Sequence, residues 1–220
     1  LPESISNGVC SLNPHEEKRT FSFFFVLNKS GEIKKKRFEK TTIQSDRRFS
    51  YEEIQHVLEK EKRDIPKEIS LSKKREKISE TMYKSIKEIS KFAQKRRGER
   101  KKKGSLSFEK KEKEFVFNDK KFPEKIKIKE SKEAHQMVEE LMLIANTCAA
   151  KRMWEKRKAS PVVYRVHESP DKEKLKTLKK IVSPLGYEIE IKEKNLNKNL
   201  NELLKKSKGK KEETLIETLV

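Results

Sequence analysis

Apolar residues fall along this 220-residue chain in short periodic groups set in lysine-rich polar ground. Residues 20–28 read as an apolar strand and 33–45 as a second, alternating one. Between them Asn28-Lys29-Ser30-Gly31 offers a turn whose glycine can take a positive φ, so the pair is expected to form a hairpin. Ser50 followed by Glu53 has capping-box spacing, and Tyr51, Ile54, Val57 and Leu58 then share one face of a short helix, with Pro66 in the loop beyond. A longer helix is predicted over residues 72–97, its buried stripe made of Ile78, Met82, Ile86, Ile89 and Phe92.

Short strands follow at 106–108, 114–117 and 125–129, divided by Asn118-Asp119 and Pro123. Ser131 is placed to cap a central helix on which Ala134, Met137, Val138, Leu141, Met142, Ile144, Ala145 and Cys148 are apolar over more than one face. Such a helix is expected to lie between the sheet and other helices. Beyond Pro161, residues 162–166 read as a strand, Pro170-Asp171 opens a helix reaching Leu185, and Gly186 stops it. A strand at 187–191, a polar helix with a solvated linker over 195–211, and an apolar helical pattern at 214–220 complete the chain. The fold class is α+β, a mixed, mostly antiparallel sheet packed on a long central helix, with no internal repeat.

Charge changes the picture. Only 32% of residues are hydrophobic and 42% are charged, and 56 Lys+Arg against 36 Asp+Glu leave +20, which points to a polyanionic partner, nucleic acid first. The apolar runs at 21–27 and 141–145 are far too short to span a bilayer, and no secretory leader precedes Leu1. A membrane-surface role is disfavoured because the basic residues sit beside Gly98 and Gly104 instead of lining one side of an amphipathic helix. Cys10 and Cys148 have no neighbours at metal-ligand spacing and read as packed thiols in a reducing cytoplasm. Starting without Met and ending without a helix stop, the chain reads as cut at both ends.

Three groups of residues could carry chemistry. Residues 91–104 hold eight cations (Lys91, Lys95, Arg96, Arg97, Arg100, Lys101, Lys102, Lys103) against Glu99, a local +7. Cations complementing a helix C-terminus explain part of this, and phosphate contacts the rest. Phe108 follows directly: it is either a ring for base stacking or a core phenylalanine at a strand end, and composition alone favours the latter. Tyr51 poses the same choice, a surface anchor or a ligand contact. Finally, Glu139 and Glu140 open the apolar face of the central helix. Adjacent helical residues point about 100° apart, so the two are badly placed to chelate one metal; one inward carboxylate gripping a partner and one exposed is the expected division. An inward carboxylate beside RNA can accept the 2′-hydroxyl proton that DNA lacks.

His167 has no nucleophile motif to serve, so a structural or phosphate-contact role is expected; Arg165 could equally bind a carboxylate, and Trp154 reads as packing. Glycine-rich phosphate loops, paired CxxC motifs and HExxH are absent from the sequence.

The order of Ser6-Asn7-Gly8-Val9-Cys10-Ser11-Leu12-Asn13-Pro14, Ser45-Asp46-Arg47-Arg48-Phe49-Ser50-Tyr51-Glu52-Glu53, residues 97–108, the Glu139 helix, and Val163-Tyr164-Arg165-Val166-His167-Glu168 with Pro170-Asp171 resembles the RNB catalytic domain of the ribonuclease R and exoribonuclease II family, in its bacterial form. The resemblance covers essentially the whole chain. It implies a processive, hydrolytic 3′-to-5′ exoribonuclease that threads single-stranded RNA into a closed channel and releases nucleoside monophosphates with Mg²⁺. It implies that Phe108 stacks on the terminal base, and that Tyr51 and Glu139 contact the RNA end and favour ribose over deoxyribose. Arg97, Arg100 and Lys103 are the expected phosphate contacts.

Two departures from the family pattern stand out. Its metal-holding aspartate cluster and its late arginine-bearing segment are not among these residues, so no metal site or catalytic residue is expected within them. Ser105 stands where alanine is usual, and Ser107 at a commonly acidic position. The expectation is therefore part of an RNB catalytic domain lining an RNA channel, monomeric and cytoplasmic. The rivals are a non-enzymatic basic RNA-binding protein and a docking module built on the central helix.

Overall fold

The computed structural model describes residues 2–28, 31–106, 112–118, 120–158, 161–191 and 195–220. The chain divides into two compact units: residues 1–96 with 132–149, and residues 97–131 with 150–220.

In the first unit a wide π-helical turn over Ser4–Val9 precedes strands β1 (Glu17–Leu27) and β2 (Ile33–Gln44), which pair antiparallel with Phe23 opposite Phe38. Alternation sends Phe21, Phe23 and Phe25 to one face, where Phe23 stacks on Phe38 at 4.6 Å and Phe25 meets Phe92 at 6.4 Å. On the other face Phe24 is covered by the Arg37 guanidinium 4.5 Å above its ring. The turn closes with the Gly31 N–H donating to Asn28 O (2.9 Å), and Gly31 has φ +80°, as the hairpin reading required; Lys29 and Ser30 lie outside the described residues.

Helix α1 (Tyr51–Lys60) starts at the predicted capping box: Ser50 Oγ accepts from the Glu53 N–H, and the Glu53 carboxylate accepts from the Ser50 N–H. Its apolar face joins Ile65, Ile78, Ile86, Ala93, Ala134 and Met137 in the core of this unit. Two residues each of β3 (Asp64–Ile65) and β4 (Glu76–Lys77) pair at its edge.

Helix α2 (Glu80–Lys102) begins eight residues later than the periodicity suggests. Ser79, not Ser72, supplies the terminus, its Oγ accepting from the Met82 N–H at 3.2 Å. The buried line runs through Ile86, Ser90 and Ala93, in steps of four and three, and leaves Ile89 38% exposed to one side.

Helix α3 (Glu133–Glu155) is the expected central helix, but it buries one stripe only: Ala134, Met137, Glu140, Ile144 and Cys148. Met142 and Trp154 are more than half exposed, against the expectation of burial on several faces. Trp154 packs against little; Arg157 lies 4.0 Å over its ring, and Tyr164 meets its edge. Cys148 is buried as expected, whereas Cys10 is exposed.

The second unit has its own core, in which Leu178 and Val182 of α4 (Lys172–Val182) meet Tyr187, Ile189, three leucines of α5 (Leu196–Ser207) and Ile216 of α6 (Glu213–Leu219). Asp171 caps α4 by accepting from the Glu173 N–H (2.8 Å), and Gly186 ends the following turn with φ +84°. The segment 187–191 alternates buried and exposed as a strand would, yet pairs with none among the described residues. Residues 161–170 are likewise irregular, with Val163 and Val166 almost fully exposed, so the predicted strand there is not formed. A strand needs a partner for its backbone groups, and none among the described residues pairs with this segment.

The remaining hairpin pairs β5 (Glu112–Phe117) with β6 (Pro123–Lys129). Among the described residues the strands form three two-stranded antiparallel ribbons instead of one sheet, and a lone parallel bridge links Pro14 to Ser45. The predicted strand 106–108 falls largely outside the described residues. No helix among the described residues is long and apolar enough to cross a membrane.

Within the second core the Tyr187 hydroxyl donates to Glu212 Oε1 at 2.6 Å and holds that carboxyl below its ordinary value. A carboxyl whose folded pKa is depressed adds stability above its unfolded pKa, and that stability is lost as pH falls through the folded value. Tyr187→Phe should therefore lower stability at neutral pH and flatten the loss of stability between pH 5 and 3, read from thermal unfolding across that range. An unchanged acid limb would exclude the coupling.

Candidate nucleic-acid interface

Local chemistry at the start of α1 and of α3 builds the first cluster. Tyr51, the first residue of α1, is 43% exposed and stacks on the His135 ring, centroids 4.1 Å apart and planes 14° from parallel. One turn after Tyr51, Gln55 is buried, and its Oε1 accepts the Ala134 N–H at 2.9 Å. That bond satisfies one of the orphan donors at the α3 N-terminus and fixes α3 against α1 at the residue before His135. The Lys132 N–H approaches His135 Nδ1 at 3.4 Å, so in the neutral ring the proton belongs on Nε2. At the same helix start Ser90 donates to Glu133, and Gln94 Nε2 donates to Glu133 Oε1 at 2.6 Å.

Glu139 comes one turn after His135, so the two are neighbours along one face of α3. The glutamate pair divides into one buried and one exposed carboxylate, but the inward one expected to grip a partner is Glu140, so Glu139 is the exposed member instead. Glu140 is 3% exposed and closed to a ligand, whereas Glu139 is exposed. A carboxylate acceptor therefore stands on the same helix face as an aromatic ring pair, in the same unit.

Cations form the second cluster, in the second unit. Arg97 and Arg100 are half-buried at the end of α2, and Lys101, Lys102 and Lys103 are exposed. Arg100 Nη1 donates to Ser105 Oγ (2.8 Å), which fixes the guanidinium. Gly104 turns the chain with φ +90°. Phe108 lies outside the described residues. His167 and Arg165 are exposed on the irregular segment.

Of the residues singled out in the sequence, Tyr51 is brought against α3, the helix that carries Glu139, while Arg97, Arg100 and Lys103 gather in the other unit. His135 and Gln55 were not singled out. The available signal was the His135–Glu139 spacing of four on a helix of known phase, but the ring that gives His135 its role is far away in sequence. Among the described residues no group of three or more His, Cys, Asp or Glu side chains is placed to hold a metal ion.

In the first unit an exposed carboxylate beside a stacked ring pair, and in the second a cationic helix end, are each chemistry found at nucleic-acid interfaces. The chain matches the RNB domain family over residues 1–220 and belongs to it. It is 28% identical over 220 residues to ribonuclease R of Escherichia coli K12, covering 100% of this chain and 26% of that protein. Structures of Mycoplasma genitalium ribonuclease R, 27% identical, superpose with TM-scores of 0.83 in a complex with ribose-methylated single-stranded RNA and 0.84 in a complex with double-stranded RNA. Each covers all of this chain, which accounts for 32% and 37% of the respective neighbours. The chain thus spans about a quarter of the length of the curated relatives it matches.

Proposed function

We propose that these residues form part of the RNA channel of a processive, hydrolytic 3′-to-5′ exoribonuclease that degrades single-stranded RNA to nucleoside 5′-monophosphates. The observation that carries the reading is the Tyr51–His135 ring pair one helical turn from the solvent-exposed Glu139, in a chain of the RNB family. Tyr51 packs against a nucleotide near the RNA end. Glu139 accepts the 2′-hydroxyl proton and so separates ribose from deoxyribose. Arg97, Arg100 and Lys103 hold phosphates, and Phe108 stacks on the terminal base, as the family resemblance implies. The protein acts as a cytoplasmic monomer in this reading.

The family resemblance also implies a divalent metal, Mg²⁺. The described residues do not fit one, since no cluster of three ligands is present among them. In this proposal the metal-holding carboxylates lie outside the 220 residues, whose own part is to grip and orient the strand. A non-enzymatic RNA-binding protein would share the cationic surface; membership of a family of ribonucleases favours the enzyme.

Incubating the full-length gene product with Mg²⁺ and a 3′-tailed RNA should release monophosphates in order from the 3′ end, while the 220-residue chain releases none. Internal cleavage by the full-length product, or monophosphate release by the 220 residues at its rate, would refute the proposal.

A further inference from the structure

We propose that the cleft between the end of α2 and the outer face of α5 is a second anchoring site for single-stranded RNA, taking the sugar-phosphate backbone; the proposal rests on the RNA-channel reading. By sequence the lysine- and asparagine-rich stretch 195–211 is a polar helix and a solvated linker. In the structure it is an amphipathic helix with a built outer face. Leu196, Leu200, Leu203 and Ser207 are buried, which turns Asn197, Lys198, Asn201 and Lys205 to the opposite side at helical spacing.

That side forms one wall of a cleft of about 820 Å³, whose other wall is Lys101, Lys102, Lys103, Gly104 and Ser105. The walls are tied together: Asn201 Nδ2 donates to Ser105 O at 3.2 Å, and a Cβ on Gly104 would meet Asn197 Cβ at 3.5 Å. Six lysines line the cleft (101, 102, 103, 198, 205, 208) against three glutamates (202, 213, 217), an excess of +3. Glu213 already accepts the Gly209 N–H at 2.9 Å. No ion pair of Lys101, Lys102, Lys103, Lys198 or Lys205 occurs among the described residues.

Unpaired ammonium groups held on two fixed walls are compact point charges suited to phosphate. Lys198 and Lys205 are seven residues apart, about 10 Å along the helix, so the face addresses more than one phosphate. The asparagine amides can both donate to and accept from sugar hydroxyls. A polynucleotide strand satisfies this set better than a free phosphate, which would leave most of the cleft unfilled. Lys103 belongs both to this cleft and to the phosphate contacts proposed in the same unit.

The test is fluorescence anisotropy of a labelled single-stranded RNA with the full-length gene product in EDTA, titrated across salt. Lys198→Gln with Lys205→Gln should weaken binding about tenfold and reduce the slope of log affinity against log salt by about 1.4, two phosphates at roughly 0.7 each. The same charge change at Lys172 and Lys174, exposed on α4 of the same unit, should leave the slope unchanged, and Arg at 198 and 205 should restore it. A slope equal to wild type in the 198/205 variant, or the same loss in the 172/174 variant, overturns the cleft and leaves the channel reading standing. A wild-type protein that does not bind RNA overturns both. Poly-glutamate that binds as tightly as RNA and loses the same affinity in the variant would make the cleft a site for acidic polypeptide, against the proposal.

Discussion

Replacing Glu53 with alanine should lower the unfolding free energy by about 3–5 kcal/mol, the cost of removing one partner from a buried, hydrogen-bonded charge pair. Glu53 is fully buried. Its carboxylate accepts from Arg47 Nη2 (3.3 Å), the Ser50 N–H (2.7 Å) and the Leu71 N–H (3.2 Å). The Arg47 guanidinium also binds Glu76 and lies 4.6 Å over the Phe49 ring, so it keeps partners when Glu53 is lost. The two backbone donors do not. Losing the reciprocal cap contributes about 1 kcal/mol, and a buried N–H left without an acceptor about 1–3 kcal/mol, so the two stranded donors account for most of the effect. Glu53→Gln, which keeps the shape and one oxygen, should recover part of the loss. Urea unfolding followed by circular dichroism reads both variants; a loss below about 1 kcal/mol for the alanine variant would contradict this account of the residue.

Tyr51→Ala should weaken single-stranded RNA binding by about 5- to 150-fold, the equivalent of roughly 1–3 kcal/mol for one lost stacking platform. Stability should scarcely change, because the ring is 43% exposed and its main neighbour is the His135 ring. Stacking uses the π face, so Tyr51→Phe should bind as the wild type does. His135→Ala should fall between, since it removes the ring that braces Tyr51 and leaves Tyr51 in place. Equal RNA affinity for Tyr51→Ala and wild type would take Tyr51 out of the interface.

Much of the local structure was legible where a single short-range interaction decides it. The Ser50–Glu53 box, the Asp171 cap, Gly31 in its hairpin turn and Gly186 behind α4 each rest on residues within a few positions of one another. Where two local signals competed, sequence alone favoured the wrong one: Ser72 and Ser79 are both plausible starts for α2, and packing of Ile78 just ahead of the helix selects the later. The segment 162–166 is rich in β-branched residues but has no pairing strand among the described residues, and propensity without a ladder does not make a strand.

For the site, residue types were legible but their company was not. The division between Glu139 and Glu140 follows from helical geometry, although which of them is buried depends on where the rest of the unit packs. His135 and Gln55 were invisible because their partners, Tyr51 and the Ala134 N–H, lie on an element distant in sequence. The outer face of α5 was hidden for another reason. Lysine and asparagine look alike in a linker and on a helix, and only the buried leucines at 196, 200 and 203 show that the polar residues share one side.

The central claim is that the exposed carboxylate of Glu139 reads the ribose of a strand stacked beside Tyr51. The most direct measurement is the ratio of single-stranded RNA to single-stranded DNA affinity for the full-length gene product and its Glu139→Ala variant, under matched salt and in EDTA. Losing one charge-assisted hydrogen bond to the 2′-hydroxyl should reduce that ratio by roughly tenfold or more, with DNA affinity nearly unchanged. An unchanged ratio, or an equal loss of RNA and DNA affinity, would contradict it.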